Sequence, residues 1–589
     1  MNDVLLAIAA VVVQAAVFGF ALLPVIDDTA SRTATMRALR SPAVFCIALA
    51  LMLLSGRWPW LTVARELNPD ESCFLAQAWR YTQDIIPWRA THSGTSGPLT
   101  PWLLAALWQC GAPLSYQTAH VTAAVLQILM LCLTYATIRM LAGEVSARTA
   151  TMPMALLLAR TGDPNFFHLS SEHVPLVLLA GCACAAAAAA SPRSLPVGWL
   201  LLAGALAGAV PFAKLQAVPL ALVLVLIIAG GVWQRTVSAR DRLRAGAALV
   251  AGGVLVPACV LGLVVAGGAW DEFWSLYIEA NLAYGDKKNV GTPLVMRAAG
   301  LIAESPMFMI LCGTTAAVTG LAAAFCVAGS RVQKTATFWP ALASTTALVA
   351  VAIFSVGKPG YAFRHYLMLL TLPCMLLTGA SLAALLSTDN REVVASWRPM
   401  QPRAWAFFFA AAAVPALVAL RCVTAGTMSF LEGTDPAKYL VKLSSSRPSA
   451  ESRVIDGMTL PADEIAVWGW RPDIYIEAAR RPAVREVESS VAMIPGPFRD
   501  AARRRFLQDI ERNKPRLFVD AVCWAGHVIV GWEIWGPELV DIRYGGHETF
   551  PELGDYIARN YVGRVQVLYY NSSIRIYERR RPLTENGSE

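Results

Sequence analysis

The chain has 589 residues, 56% of them hydrophobic and 15% charged, with a mean hydropathy of +0.49 and a net charge of +8. Soluble proteins carry about 25% charged residues, so this balance excludes a purely cytosolic globule. It equally excludes a disordered chain, a collagen-like repeat and a small disulfide scaffold. The charge is unevenly spread, since 45 of the 90 Asp, Glu, Lys and Arg residues fall within 431–589. A large membrane domain over 1–425 followed by a soluble domain over 426–589 is therefore predicted.

A bilayer-crossing helix needs about 20 mostly apolar residues. Such stretches occur near 4–26, 42–61, 118–141, 246–268, 306–329, 338–356, 366–387 and 405–423. Two further regions each read as a pair of shorter spans, 150–161 with 173–190 and 197–213 with 215–232. The expectation is a polytopic α-helical membrane protein with about twelve spans. The first stretch lacks a basic flank and a small-residue cleavage site, so it reads as a retained helix. Alternate loops collect the basic residues: Arg32, Arg37 and Arg40; Arg148; Arg193; Arg235, Arg240, Arg242 and Arg244; Arg331 and Lys334; Arg391, Arg398 and Arg403. By the positive-inside rule these loops are cytoplasmic. The long 62–117 segment, the 269–296 and 357–365 loops and the C-terminal domain are then external. These arginines also account for much of the net charge, so no nucleic-acid partner is implied.

Most of the 12 cysteines lie in apolar stretches and no CxxC pair occurs, so Cys132, Cys259, Cys312 and Cys374, like Cys182 and Cys184, read as small hydrophobes. The C-terminal domain reads as mixed α/β. Ile465–Trp470 and Arg516–Val522 are expected as strands, Phe498–Asn513 and Glu552–Tyr561 as amphipathic helices, and Gln566–Tyr570 with Ile574–Glu578 as a hairpin around Asn571-Ser572-Ser573. It carries no phosphate loop, dinucleotide fingerprint or zinc-ligand spacing. Trp524, Trp532 and Trp535 suit core packing or membrane-surface contact better than sugar stacking.

The external segment 62–117 holds Glu66-Leu-Asn68-Pro69-Asp70-Glu71, then Gly97-Pro98-Leu99-Thr100-Pro101-Trp102. Pro69 suits the first turn of a helix, which places Asp70 and Glu71 at its N-terminal end, where the helix dipole favours ionised carboxylates. Such a group can accept a proton from a hydroxyl or bind a cation; it can also simply cap the helix. Three more features fall on the same face: Asp163-Pro-Asn-Phe-Phe-His168-Leu-Ser-Ser-Glu172-His173, Lys214 between two apolar segments, and the loop Lys358-Pro-Gly-Tyr-Ala-Phe-Arg364-His365-Tyr366. Lys214 can snorkel to headgroups, and the last loop can anchor at the interface. Lys358, Arg364, His365 and Tyr366 together also make a receptor for phosphate, since each donates hydrogen bonds and two carry fixed charge.

At these residues the chain resembles the GT-C-type glycosyltransferases that use polyprenyl-phosphate sugars, a family that includes protein O-mannosyltransferases and the lipid A aminoarabinose transferase. Asp70-Glu71 is similar to the acidic motif of the first external loop, and Gly97–Trp102 to the proline-containing stretch after it. Gly204–Lys214 resembles the glycine-rich helix ending in lysine, Ser170-Ser171-Glu172 a second acidic site, and Arg364-His365-Tyr366 the entry to a late span. The likeness covers roughly 60–425; the chain departs from the family in an extra leading span, in Gly97-Pro98 where paired prolines are common, and in a C-terminal domain without a recognisable motif.

The resemblance implies a GT-C membrane fold and an inverting transferase of the EC 2.4 class. Its partners would be the lipid bilayer, a polyprenyl-phosphate sugar donor, and a glycan, lipid or protein acceptor. Asp70 would be the general base, with Glu71 and Glu172 orienting the acceptor or tuning it. Lys214, Lys358, Arg364, His365 and Tyr366 would hold the donor phosphate. No cofactor is required, because the leaving group is already a phosphate; a divalent metal is compatible with the site without being demanded. A bacterial inner-membrane protein with a periplasmic active face is expected. A lipid-linked substrate flippase is the competing class, disfavoured by the absence of repeated halves and by ionisable residues gathered at one surface. A third reading, an assembly protein merely anchored by its spans, fits poorly with the long first external segment.

Overall fold

The computed structural model describes residues 41–92, 94–190, 197–235, 238–284, 292–328, 332–359, 361–385, 448–493, 497–522, 546–569 and 572–580. The expected spans at 4–26 and 405–423 and the tryptophans at 524, 532 and 535 lie outside these residues, as does Asn571 of the expected turn. The chain divides into two compact units, one of residues 1–63, 120–260 and 285–443, the other of 64–119, 261–284 and 444–589.

The first unit is helical. Helices α1 (Pro42–Leu61), α4 (Tyr116–Ala142), α5 (Glu144–Arg160), α6 (His173–Ala189), α7 (Val197–Ala213), α8 (Val218–Arg235), α9 (Ala239–Ala266), α11 (Pro306–Ala328), α12 (Val332–Gly357) and α13 (Thr371–Leu385) match the apolar runs read from the sequence; α10 (Leu294–Glu304) was not expected, and α2 (Pro69–Tyr81) and α3 (Leu99–Gln109) belong to the second unit. Among the described residues seven stretches are long and apolar enough to cross a membrane, and α6 and α7 are shorter apolar helices.

Helices α5, α9 and α12 begin earlier than expected. Helix α5 takes in Arg148, and α9 takes in Arg240, Arg242 and Arg244. Hydropathy ends a span at the first charges, but backbone i→i−4 bonding continues through them. Arg148 is 1% exposed, pairs with Glu144 at 2.5 Å, and lies 4.8 Å from the Phe45 ring centroid.

Helices α7 and α9 pack backbone to backbone. A methyl group on Gly204 would collide with the Leu249 carbonyl, one on Gly208 with the Gly253 carbonyl, and one on Gly252 with the Leu201 carbonyl. Gly204 and Gly208 are four apart, the small-xxx-small spacing that lets helices approach where no hydrophobic force drives them together. This contact fixes the path of α7 and hence where Lys214 emerges.

In the second unit a mixed sheet runs β2-β1-β3-β5-β4 over β1 (Glu464–Trp468), β2 (Arg481–Pro482), β3 (Leu517–Asp520), β4 (Tyr561–Tyr569) and β5 (Ser572–Arg579). β1 pairs in parallel with β2 and β3, and β5 runs antiparallel to β3 and β4. β1 and β3 are buried along almost their whole length, which is why they read as unbroken apolar runs and not as alternating ones. Helices α16 (Arg499–Asn513) and α17 (Pro551–Asn560) stand close to their expected bounds, and α14 (Ala450–Met458) and the short α15 (Asp473–Glu477) precede them. Trp468 and Phe506 meet edge to face at 5.0 Å in the core. β4 starts at Tyr561, earlier than expected, because an irregularity between Gly563 and Val565 interrupts the alternation.

The 64–119 segment joins the tail within this unit. Thr91 Oγ1 donates to the Arg485 carbonyl at 2.8 Å, and Arg505 donates to the Trp88 carbonyl at 3.1 Å. Trp88, held at φ +62°, packs against Phe273 and Tyr277 at 4.8 and 5.0 Å.

Gly204→Val is expected to destabilise the protein by about 2 kcal/mol or more through overpacking at the α7–α9 crossing. Gly246→Ala, with nothing within 4 Å of the added carbon, is expected to be neutral or slightly stabilising. Thermal unfolding in detergent compares the two.

Candidate active site

The first unit contributes a buried polar cluster built from three helix ends. After α5 the chain makes a 3₁₀ turn over Pro164–Phe166, opened by Asp163, whose carboxylate accepts from the Asn165 amide at 3.0 Å. The loop then runs to Glu172, directly before α6. Helix α7 ends at Ala213, and Lys214 takes an extended conformation before the chain turns into α8. A third strand of chain, the 3₁₀ segment Arg364–Leu370, leads into α13.

Lys214, Glu172 and Tyr366 are 2%, 0% and 3% exposed. The Lys214 ammonium donates to Glu172 Oε1, donates to Ser171 Oγ at 2.6 Å, and sits 4.6 Å from the Tyr366 ring centroid. Burial works to raise the Glu172 pKa, but the Lys214 ammonium, with His365 nearby, outweighs it and holds the carboxyl below the usual carboxylate range. Lys214 and Glu172 therefore neutralise each other, a pairing that neither helix end announces in the sequence.

His365 is buried, stacked on Phe363 at 5.4 Å and edge-on to Tyr366 at 4.9 Å and His168 at 5.4 Å. The His168 Nδ1 meets the Pro164 carbonyl at 3.1 Å, and since a carbonyl only accepts, Nδ1 carries the proton. Its Nε2 is an acceptor without a hydrogen-bond partner among the described residues, so His168 and His365 offer nitrogen donors suited to a metal ion. Arg364 turns outward, half-exposed, to Asp163 at 3.2 Å and Glu304 at 4.0 Å. Lys358 stands exposed past the end of α12.

Sequence reading missed the brace beneath this loop. Arg57, 2% exposed in α1, donates to the Leu158 carbonyl and to Gln127 Oε1, both at 2.9 Å, and lies 4.3 Å from the Phe167 ring centroid. Gln127 Nε2 donates to the Phe166 carbonyl at 3.0 Å and meets His173 Nε2 at 2.9 Å. The available signal was an arginine and a glutamine inside otherwise apolar runs, which the cost of burying polar groups makes informative.

Asp70 and Glu71 belong to the second unit. Asn68 Oδ1 accepts from the Asp70 amide, and Glu71 Oε2 accepts from the Leu67 amide, each at 3.0 Å. Pro69 occupies the first helical position. The fully buried Glu71 carboxylate is thus committed to closing the helix start, a variant of the capping box, while Asp70 stays half-buried at the positive end of α2.

In the sheet, Asp520, His547 and Glu548 bring ligand atoms within 4.8 Å of one another. Arg575 donates into both carboxylates, so a guanidinium already fills the place of a cation. Burial works to raise the Asp520 pKa, but His547 and Arg575 outweigh it and hold it low.

No protein-family model matches the chain, and no curated protein sequence does. Among solved structures the chain is similar to ArnT from Cupriavidus metallidurans bound to undecaprenyl phosphate, at 12% identity and a TM-score of 0.49, covering 91% of this chain and 97% of that one. It is also similar to the same protein in the apo state, at 13% identity, a TM-score of 0.48 and the same coverage. A further likeness is to the oligosaccharyltransferase AglB from Archaeoglobus fulgidus in complex with an inhibitory peptide and a dolichol-phosphate. Here the identity is 11%, the TM-score 0.41, and the coverage 92% of this chain and 75% of that one.

Lys214→Met is expected to destabilise by about 3–5 kcal/mol at neutral pH, because it leaves Glu172 buried without its cation. The pH dependence should invert. In the wild type the pair's contribution is present above the unfolded carboxyl pKa and is lost as pH falls through the lower folded value. In Lys214→Met a neutral Glu172 is favoured, so stability rises toward acid pH. The double variant Lys214→Met/Glu172→Gln should recover much of the loss, as thermal unfolding between pH 4 and 8 would measure.

Proposed function

We propose that this chain is an inverting membrane glycosyltransferase that moves a sugar from a polyprenyl-phosphate donor to an acceptor hydroxyl. It acts at the periplasmic face of a bacterial inner membrane, and the acceptor is a cell-envelope glycan, lipid or protein. The reading is carried by one observation: Lys214, Arg364, His365 and Tyr366 gather where apolar helices end. A lipid's anionic headgroup could meet cations and hydrogen-bond donors there while its chain stays among apolar side chains. The arginine-rich alternate loops support the orientation, and the long external segment supports an enzyme over a simple anchor.

In this mechanism the acceptor oxygen attacks the anomeric carbon as the bond from that carbon to the phosphate oxygen breaks. The acceptor proton passes to the Asp70 carboxylate, which stands at the N-terminal end of α2. A single displacement inverts the anomeric centre. Arg364 and His365, with Lys358 at the rim, stabilise the charge left on the phosphate. Lys214, already paired with Glu172, contributes as a fixed dipole with its carboxylate and orients Tyr366 through its ammonium. Glu71 acts on Asp70 through the helix start that it closes.

Purified protein supplied with a panel of radiolabelled polyprenyl-phosphate sugars should release or transfer sugar from one of them. Asp70→Asn should lower transfer by about 100-fold or more while donor binding and the unfolding temperature persist. Arg364→Ala should weaken donor binding about tenfold as well as turnover. Normal transfer by Asp70→Asn would remove Asp70 as the base, and failure with every donor would remove the reading itself.

A further inference from the structure

The entry to α2 contains a second carboxyl that the proposed chemistry does not use. Glu66 lies two residues before the Asn68 cap and reaches across the first helical turn to Ser72, whose hydroxyl donates to Glu66 Oε2. Ser72 Oγ is in turn 2.9 Å from the Tyr116 hydroxyl at the start of α4. Ser72 and Tyr116 are 0% and 3% exposed, and Glu66, at the near end of the chain, is half-buried. The Glu66–Ser72 bond closes a loop of seven residues with Asp70 inside it.

The surrounding charge explains the state of Glu66. Glu71 from the same turn and Asp473 from the start of α15 face it as carboxylates, with Arg471 as the cation. Arg471 is already committed, donating to Glu451 at 2.6 Å and to Asp473 at 2.7 Å. Glu477 adds negative charge beside Tyr116, and Glu488 and Asp70 add it beside Cys73. One guanidinium does not balance this set, which favours the neutral form of a carboxyl placed among the others. Burial first, then Asp473, pushes Glu66 up to about 8 against the pull of Ser72 and Arg471.

We propose that Glu66 is a proton-dependent clamp: its neutral carboxyl, bonded to Ser72 and through it to Tyr116, fixes the first turn of α2 and thereby positions the Asp70 carboxylate. Losing the proton places a further negative charge among Glu71, Asp473 and Glu477, and the turn carrying Asp70 loosens. Glu66 is a positioning residue, not a base. The clamp itself stands on the geometry of the second unit; its effect on turnover rests on the transferase reading above.

The sign of the pH effect follows from proton binding. The unfolded chain releases the Glu66 proton near pH 4.5, whereas the folded protein holds it to about pH 8. The folded state therefore binds more protons across that window, and the stability due to Glu66 falls from about pH 4.5 to about pH 8 and then levels off.

Two measurements test this with Glu66→Gln, which keeps the neutral shape and cannot ionise. The first needs no substrate: unfolding temperatures of wild type and Glu66→Gln, taken in detergent from pH 5 to 9.5, should diverge up to about pH 8, the wild type losing ground, and run parallel above it. A difference that is constant with pH overturns the clamp. The second follows transfer against pH. Wild-type kcat should fall about tenfold per unit above pH 8, and Glu66→Gln should carry its activity beyond that limit. Glu66→Ala should lower kcat about tenfold at neutral pH with donor KM within about twofold, since a displaced group costs rate more than binding. Superimposable pH profiles for wild type and Glu66→Gln overturn the positioning role. Absence of transfer by the wild type at every pH overturns the transferase reading, and the unfolding comparison then decides the clamp alone.

Discussion

An ammonium group enclosed among apolar helices has to be neutralised where it stands, and Glu172 does this for Lys214. The rest of the first unit is arranged around that requirement. The glycines of α7 let it lie against α9, so that α7 ends where Lys214 reaches Ser171 and Glu172. Tyr366 offers its ring face to the same ammonium, which ties the entry of α13 to the break between α7 and α8. The pair is costly to bury and costlier to break. Its value lies in specificity: it admits one register for three helix ends.

The loop that carries Glu172 is held from the opposite side by uncharged partners and one arginine. Among the described residues Arg57 has no carboxylate hydrogen-bond partner; the Leu158 carbonyl, an amide and an aromatic face satisfy it. Gln127 passes the contact on to Phe166 and His173. Polar side chains from three apolar helices thus set the backbone of a short loop, and that loop sets His168 and Asp163, and through Asp163 the half-exposed Arg364.

The second unit solves a different problem, the start of a short helix whose entry carries three acidic side chains. Asn68 and Glu71 bond to backbone amides at the helix start, Glu66 bonds to Ser72, and Asp70 keeps a half-buried position in the first turn. Three acidic side chains in six residues look redundant in sequence only if the carboxylates are taken as equivalent. Their surroundings separate them: Glu71 closes the helix start, Glu66 bonds Ser72, and Asp70 sits half-buried in the first turn.

The positions of the apolar helices from residue 42 to residue 385 were legible in the sequence, because a run long enough to cross a bilayer and bounded by arginines has few other conformations available. The strand core Ile465–Trp468, the helix ending at Asn513 and the acidic turn at Pro69 were legible for the same reason, each being a pattern of neighbours along the chain. Helix starts within charged stretches, at Glu144 and Ala239, were not, since hydropathy falls there while backbone bonding continues. Nor could the sequence say that Lys214 would be matched by Glu172, 42 positions away, that Arg57 would be satisfied without an acid, or that the 64–119 segment would group with the tail. Those are decided by which buried groups meet once the helices pack, and the strength of a charge in a medium without water depends wholly on what it meets.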